Sequence, residues 1–203
     1  MNFAAEWDEE HRKRLMWPEA VDGRVVMFVR RLAPKTKPQQ LRILDVGCGA
    51  GANALWLASR GYRVSGFDAS KAAVFRAHGK LKNIDPRPDV VAHDLTTAPL
   101  PYSDNRFDAA IDVRTLENLD GREATTALIE IARVLKPGGQ LLSITAHADR
   151  DDGLTTVGMV RKMNEDQIRA LCIGVGFSAL DYWRDAPFED GKRVDDWRIV
   201  LTK

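Results

Sequence analysis

Cysteine is nearly missing from this 203-residue chain. Cys48 and Cys172 are too few for a disulfide framework, and a reducing, cytoplasmic setting is the expectation. No apolar run approaches the roughly 20 residues of a membrane-spanning helix, so no such span is expected. Glu6, Asp8, Glu9 and Glu10 make the first residues too acidic for a secretory signal. An excess of one charge is missing too: 30 basic against 29 acidic side chains leave a net charge of +1, with no global field to draw nucleic acid. The histidines, His11, His78, His93 and His147, fall at no zinc-ligand spacing. Neither an internal repeat nor a low-complexity segment is present.

What is there suits a folded domain. Hydrophobic residues at 44% and charged residues at 29% exclude a disordered chain, and the length fits one domain with one substantial core. The amino-terminal region is locally basic, with Arg12, Lys13, Arg14, Arg24, Arg30 and Arg31 interleaved with Asp8, Glu9, Glu10, Glu19 and Asp22. That pattern reads as solvated helix faces, or as an attraction for an anionic acceptor carrying a carboxylate or phosphate.

Apolar periodicity predicts two helices within residues 1–33, separated at Pro18, and a stiff polar link from Pro34 to Pro38. Strands and helices then alternate. Strands are predicted at 41–46, 62–67, 89–93, 107–113 and 140–146, with helices at 52–60, 70–82, 121–135 and 164–174. Ser70 reads as an N-cap, and Asp120 with Glu123 and Asn164 with Gln167 read as capping boxes. Such alternation, with strands rich in valine and isoleucine, means a parallel sheet covered on both faces. Residues 177–183 and 196–201 read as a closing antiparallel pair joined by a polar stretch.

The first strand runs into Gly47-Cys48-Gly49-Ala50-Gly51-Ala52 and then a helix-forming run. Bare glycine lets a ligand approach backbone, and the first N–H groups of the helix attract anionic groups. This turn also satisfies the G-x-G-x-x-G/A pattern of dinucleotide sites. Acids at strand ends point elsewhere: Asp45 stands just before the glycines, where it would repel a pyrophosphate and face an ammonium group. Asp68 ends the second strand, where a carboxylate can take both hydroxyls of a ribose, and Asp94 ends the third. Lys136-Pro137-Gly138-Gly139 precedes the fifth strand.

These ordered elements, across roughly residues 40–146, resemble the class I S-adenosylmethionine-dependent methyltransferases. The resemblance implies an α/β, Rossmann-like fold: a seven-stranded, mostly parallel sheet in the order 3-2-1-4-5-7-6, its last strand antiparallel, with helices on both faces. It also implies a single domain, 1–203, in which 1–38 form a helical lid over a core at 39–203. S-adenosyl-L-methionine is the implied cofactor. Asp45, Gly47, Cys48, Gly49 and Gly51 would wrap its amino-acid and sulfonium end, Asp68 its ribose, and Ala69, Asp94 and Leu95 its adenine, with Cys48 a small space-filler rather than a nucleophile. Two bland roles stay open: Gly51 for helix packing, and Asp94 as a cap for its own turn.

Residues 112–119 would lie beside the sulfonium. There Arg114 can clamp a carboxylate or phosphate, or touch the cofactor, and Glu117 can act as a general base; alternatively the two only pair with each other. His147, just after the fifth strand, is the third candidate. Asp149, Asp151 and Asp152 gather acids where catechol-type methyltransferases hold magnesium, but Arg150 sits among them and no second ligand set is visible, so no metal is expected. The run from Asn53 to Asp68, with Trp7 and Trp17 ahead of it, is similar to the thiopurine and tellurite-resistance branch, in which the amino-terminal helices cover the pocket. The expected reaction is in-line methyl transfer to a small molecule. Two alternatives remain: a nicotinamide-dependent oxidoreductase, and a non-catalytic S-adenosylmethionine-binding subunit.

Overall fold

A computed structural model of the chain describes residues 3–13, 20–32, 37–97, 99–147, 163–172, 175–185, 188–189, 192–193 and 195–203. Strand β1 (Arg42–Val46) is buried beyond its first residue because both of its faces are covered: Ile43 joins the core on one side and Leu44 and Val46 the core on the other. Parallel neighbours flank it, β2 (Arg63–Asp68) on one edge and β4 (Phe107–Val113) on the other. β3 (Asp89–Ala92) pairs with β2, and β5 (Leu135–Ala146) with β4, again in parallel. The last strand, β9 (Asp196–Thr202), runs antiparallel between β5 and β6 (Ala179–Asp185). The sheet order β3-β2-β1-β4-β5-β9-β6 is the one expected from the sequence, counting β9 as the seventh sheet strand.

Helices α2 (Gly23–Leu32), α3 (Ala52–Ala58) and α4 (Lys71–Leu81) cover one face, burying Phe28, Leu57 and Ala77 against Ile43, Ile111 and Leu142. On the other face α5 (Gly121–Val134) and α6 (Glu165–Cys172) bury Leu128, Ile131 and Ile168 against Phe67, Leu141 and Trp197. The predicted caps form. Ser70 Oγ accepts from the Ala73 N–H, Asp120 and Glu123 close a capping box, and Asn164 and Gln167 exchange the same two bonds. Helix α1 (Phe3–Lys13) lies on the start of α4, where Asp8 Oδ1 accepts from the Ala72 N–H at 2.8 Å and the Ser70 hydroxyl at 3.0 Å.

Element ends shift by a few residues from expectation, and two larger differences stand out. The fifth strand begins at Leu135 rather than 140, because Leu135 pairs with Phe107 before the register shifts and Gln140 pairs with Ala109; Lys136 to Gly139 form an irregularity inside the strand. The polar stretch before β9 contains a small hairpin, β7 (Phe188–Glu189) with β8 (Lys192–Arg193), too short to show any periodicity. Trp17 and the acids Asp149, Asp151 and Asp152 lie outside the described residues. Among the described residues, no helix is long and apolar enough to cross a membrane.

Candidate functional site

The glycine turn at the end of β1 is built from left-handed backbone. Gly47, Gly49 and Gly51 have φ of 62°, 52° and 83°, a region in which a Cβ is strained. A Cβ on Gly47 would stand 2.0 Å from Thr115 Oγ1, so the loop after β4 is packed directly onto the turn. Gly51 does have a packing role: its Cβ would meet Ala77 Cβ of α4 at 3.0 Å. Cys48 donates its N–H to the Phe67 carbonyl at 2.9 Å, tying the turn to β2. Burial, with Asp45 and Asp68 nearby, pushes its thiol pKa well up, which disfavours the thiolate.

Carboxylates ring this turn. Asp45 is 1% exposed, and its Oδ2 has no hydrogen-bond partner. Burial, reinforced by Asp68, pushes its pKa up to about 8. Asp68 accepts from the Gly49 N–H at 2.9 Å and the Ser70 N–H at 2.8 Å, which links the turn to the start of α4. Burial outweighs those bonds and raises its pKa to about 6. Asp112, fully buried at the end of β4, accepts from the Thr115 N–H at 2.9 Å, the Leu116 N–H at 3.2 Å and the Ser143 hydroxyl at 2.6 Å. Its pKa is also raised to about 6, by burial. The sequence places Asp112 within residues 112–119 but marks it with no role of its own.

The His93 N–H donates to the Asp68 carbonyl at 2.9 Å, setting Asp94 beside the same edge. One oxygen of Asp94 is already engaged, accepting from the Thr96 N–H at 2.9 Å and the Thr96 hydroxyl at 2.7 Å, so its role as a cap for its own turn is real. Ala69 is half-buried beside Asp68, and Leu95 is buried in the core beneath β3. From the other side α1 brings His11, 2% exposed, with Cε1 at 3.8 Å from the Cβ position of Gly49.

The loop after β4 carries a second cluster. Arg114 has φ of 64°, and its Nη2 lies 2.8 Å from Asp196 Oδ2, whereas Glu117 is 3.9 Å from its Nη1. Asp196 is therefore nearer to its guanidinium than Glu117 is. Asp196, 0% exposed at the start of β9, also receives Arg24 Nη1 at 2.8 Å, and Arg24 holds Asp22 at 2.7 Å. Glu117 accepts from the Ala146 N–H at 2.6 Å; burial, with Asp112 and Asp196 adding, pushes its pKa up to about 8. His147 is buried next to it in sequence from Ala146, its ring 4.7 Å from that of Trp197.

These raised pKa values carry one sign for stability. Above about pH 4 the folded chain keeps protons that the unfolded chain has released, up to about pH 6 on Asp68 and Asp112 and up to about pH 8 on Asp45 and Glu117. Their contribution to stability is therefore full at low pH and lost as pH rises through those folded values. Ligand-free protein is expected to show a lower urea midpoint at pH 8.5 than at pH 5.5, and Asp45→Asn to reduce that drop. A midpoint that rises over this interval, or a drop unchanged in the variant, would contradict the assignment.

Residues 43–139 match the model of a protein family described as a methyltransferase domain. The chain is 31% identical over 149 residues to the O-methyltransferase resE of Aspergillus sclerotiorum, covering 69% of this chain and 56% of that protein. It is 39% identical over 105 residues to a ubiquinone biosynthesis O-methyltransferase of Alkalilimnicola ehrlichii, covering 51% of this chain and 41% of that one. The chain thus spans about half the length of these curated relatives. Its fold is that of solved S-adenosylmethionine-dependent methyltransferases. The N-methyltransferase NodS of Bradyrhizobium japonicum, in complex with S-adenosyl-L-homocysteine, superposes with a TM-score of 0.72 at 20% identity, over 100% of this chain and 98% of that one.

Proposed function

We propose that this chain is an S-adenosylmethionine-dependent methyltransferase acting on a small-molecule acceptor. The observation that carries the reading is the pair of buried acids, Asp45 and Asp68, against a bare left-handed glycine turn, with one Asp45 oxygen unpartnered. Burial raises both of their pKa values, and Asp68 adds to the rise on Asp45. A ligand bearing an ammonium and a sulfonium fits that need, while a dinucleotide pyrophosphate would add negative charge to it. The residues present thus fit the cofactor and disfavour the nicotinamide alternative.

Gly47, Cys48, Gly49 and Gly51 would offer backbone to the amino-acid end, Asp45 would face the ammonium, and Asp68 would take the ribose. Ala69, Asp94 and Leu95 would border the base. The bound cofactor supplies an electrophilic methyl group on a good leaving group, so alignment of the acceptor is the protein's main task. We assign Arg114 to positioning, either of an anionic acceptor or of the cofactor's end, and Glu117 to accepting a proton from an acceptor hydroxyl or amine. His147 borders the same side. We take residues 1–38 as a lid over the core at 39–203; Asp8 on the start of α4, His11 over Gly49 and Arg24 on Asp196 support it. The finer likeness to the thiopurine and tellurite-resistance branch rests on Trp7 and the run from Asn53 to Asp68, and stays a reading of sequence alone.

Removing one member of a buried, charged hydrogen-bond set weakens binding by about 2–5 kcal/mol. Asp68→Ala is therefore expected to weaken S-adenosylhomocysteine at least tenfold in calorimetry. Wild-type protein that does not bind it, or a folded Asp68→Ala variant with unchanged affinity, would sink the assignment. Because Glu117 titrates near pH 8, methyl transfer to a hydroxyl acceptor is expected to rise through that pH and to lose this dependence in Glu117→Gln. An identical pH profile in the variant would remove Glu117 from the proton transfer.

A further inference from the structure

At the opposite end of the sheet, where β1, β2 and β4 begin, lies a groove of about 540 Å³. Five residues of strand, about 15 Å of extended chain, separate it from the glycine turn. Its lining includes four arginines, Arg42, Arg63, Arg87 and Arg106, against one acid, Asp89.

Arg42 and Arg63 are direct register partners on adjacent parallel strands. They share a sheet face, since Leu44 and Phe67 further along the same faces join one core. Like charges placed opposite each other destabilise a sheet. Neither guanidinium has an ion-pair partner among the described residues. The acid nearest Arg42 along the chain edge is already committed: Asp108 accepts from the Arg42 N–H at 2.8 Å and from Lys136 Nζ at 2.6 Å.

Arg106 is held by rings rather than by acids. Its guanidinium carbon lies 5.4 Å from the Tyr102 ring centre and 5.5 Å from that of Phe107, and Asp89 approaches only to 4.0 Å. Its Nε is buried without a hydrogen-bond partner. Arg87 completes the set, its Nη2 2.7 Å from His78 Nδ1. Ser65, two residues along from Arg63, is 6% exposed and lines the groove, and its hydroxyl has no partner among the described residues.

We propose that this groove binds a small, multiply charged phosphate ligand, a di- or triphosphate chain. Guanidinium forks match phosphate oxygens in pairs, and the Ser65 hydroxyl supplies one more donor. The volume falls within the range of small-molecule sites, about 300–1,000 Å³. A net charge of +1 gives no global field to draw a nucleic acid, and the four arginines gathered on one groove suit a compact ligand.

The test is calorimetric titration of the full chain with inorganic tripolyphosphate, with adenosine triphosphate run beside it. Arg63→Gln and Arg106→Gln are each expected to weaken tripolyphosphate at least tenfold. Arg122→Gln, on the exposed start of α5, should leave it unchanged, and S-adenosylhomocysteine affinity should not move in any of the three. Adenosine triphosphate binding more tightly than tripolyphosphate would give the phosphate chain a nucleotide source, and equal binding a bare one. The proposal is overturned if wild-type protein takes up no tripolyphosphate at millimolar concentration. It is overturned equally if Arg122→Gln loses as much affinity as the two groove variants, or if folded Arg63→Gln and Arg106→Gln both bind like wild type.

Discussion

Gly47→Ala is expected to abolish S-adenosylhomocysteine binding and to cost the fold about 3–6 kcal/mol. At φ of 62° an L side chain is strained, by about 1–2 kcal/mol on general grounds. The larger part is overlap: the new methyl would stand 2.0 Å from Thr115 Oγ1, 2.6 Å from its Cγ2 and 2.7 Å from its Cβ. Thr115 cannot simply swing away, because its hydroxyl donates to the Val46 carbonyl at 3.1 Å and its N–H to Asp112 at 2.9 Å. The strain therefore spreads to both strand ends that border the turn. Urea denaturation measures the loss of stability, and calorimetry the loss of affinity. Second-site changes order the cause: Thr115→Gly in the Gly47→Ala background should restore more than Thr115→Ala, which keeps the Cβ at 2.7 Å. A Gly47→Ala protein as stable as wild type would mean that the turn and the loop after β4 are not packed together.

The parts of this structure legible in the sequence are those whose determinants are local. Buried parallel strands read as short apolar runs, and Ser70, Asp120 with Glu123, and Asn164 with Gln167 cap the next few residues, so spacing alone reveals them. The glycine turn is legible for the same reason, since three positive-φ positions in five residues call for glycine. Asp45 and Asp68 were marked by standing at strand ends.

What stayed hidden depends on contacts across the chain. Arg24 lies in a basic stretch that looks solvated, and Asp196 follows Asp195 at the end of a polar segment, yet the two meet over a separation of 172 residues. The sequence offers Arg114 an anionic ligand, the cofactor or the neighbouring Glu117, but the antiparallel return of β9 brings it a nearer carboxylate than Glu117. The early start of β5 escaped notice because Pro137, Gly138 and Gly139 look like a loop, while the pairing of Leu135 with Phe107 is set by the neighbouring strand. The facing of Arg42 and Arg63 is a matter of register, which neither strand reveals alone.

Asp196→Ala is the other large effect. Its carboxylate is 0% exposed and accepts two guanidiniums on one oxygen, Arg24 Nη1 and Arg114 Nη2, each at 2.8 Å. Deleting one partner of a buried ion set typically costs about 3–5 kcal/mol, because the charges left behind have lost their water and their counter-ion. Here two cations lose it together, though Asp22 still holds Arg24 at 2.7 Å and softens the loss on that side. Arg114 keeps Glu117 at 3.9 Å. That shifts a second observable. Asp196 is one of the charges that raise Glu117 to about 8, so its removal draws the Glu117 pKa down toward the ordinary carboxylate range. Denaturant titration should show the lost stability, smaller in Asp196→Asn, and the pH profile of methyl transfer should move its midpoint to lower pH in both variants, since each removes the charge. If stability falls while the midpoint stays put, Asp196 only pins α2 and the β4 loop to β9. If both move together, the cluster sets the proton affinity of Glu117 as well.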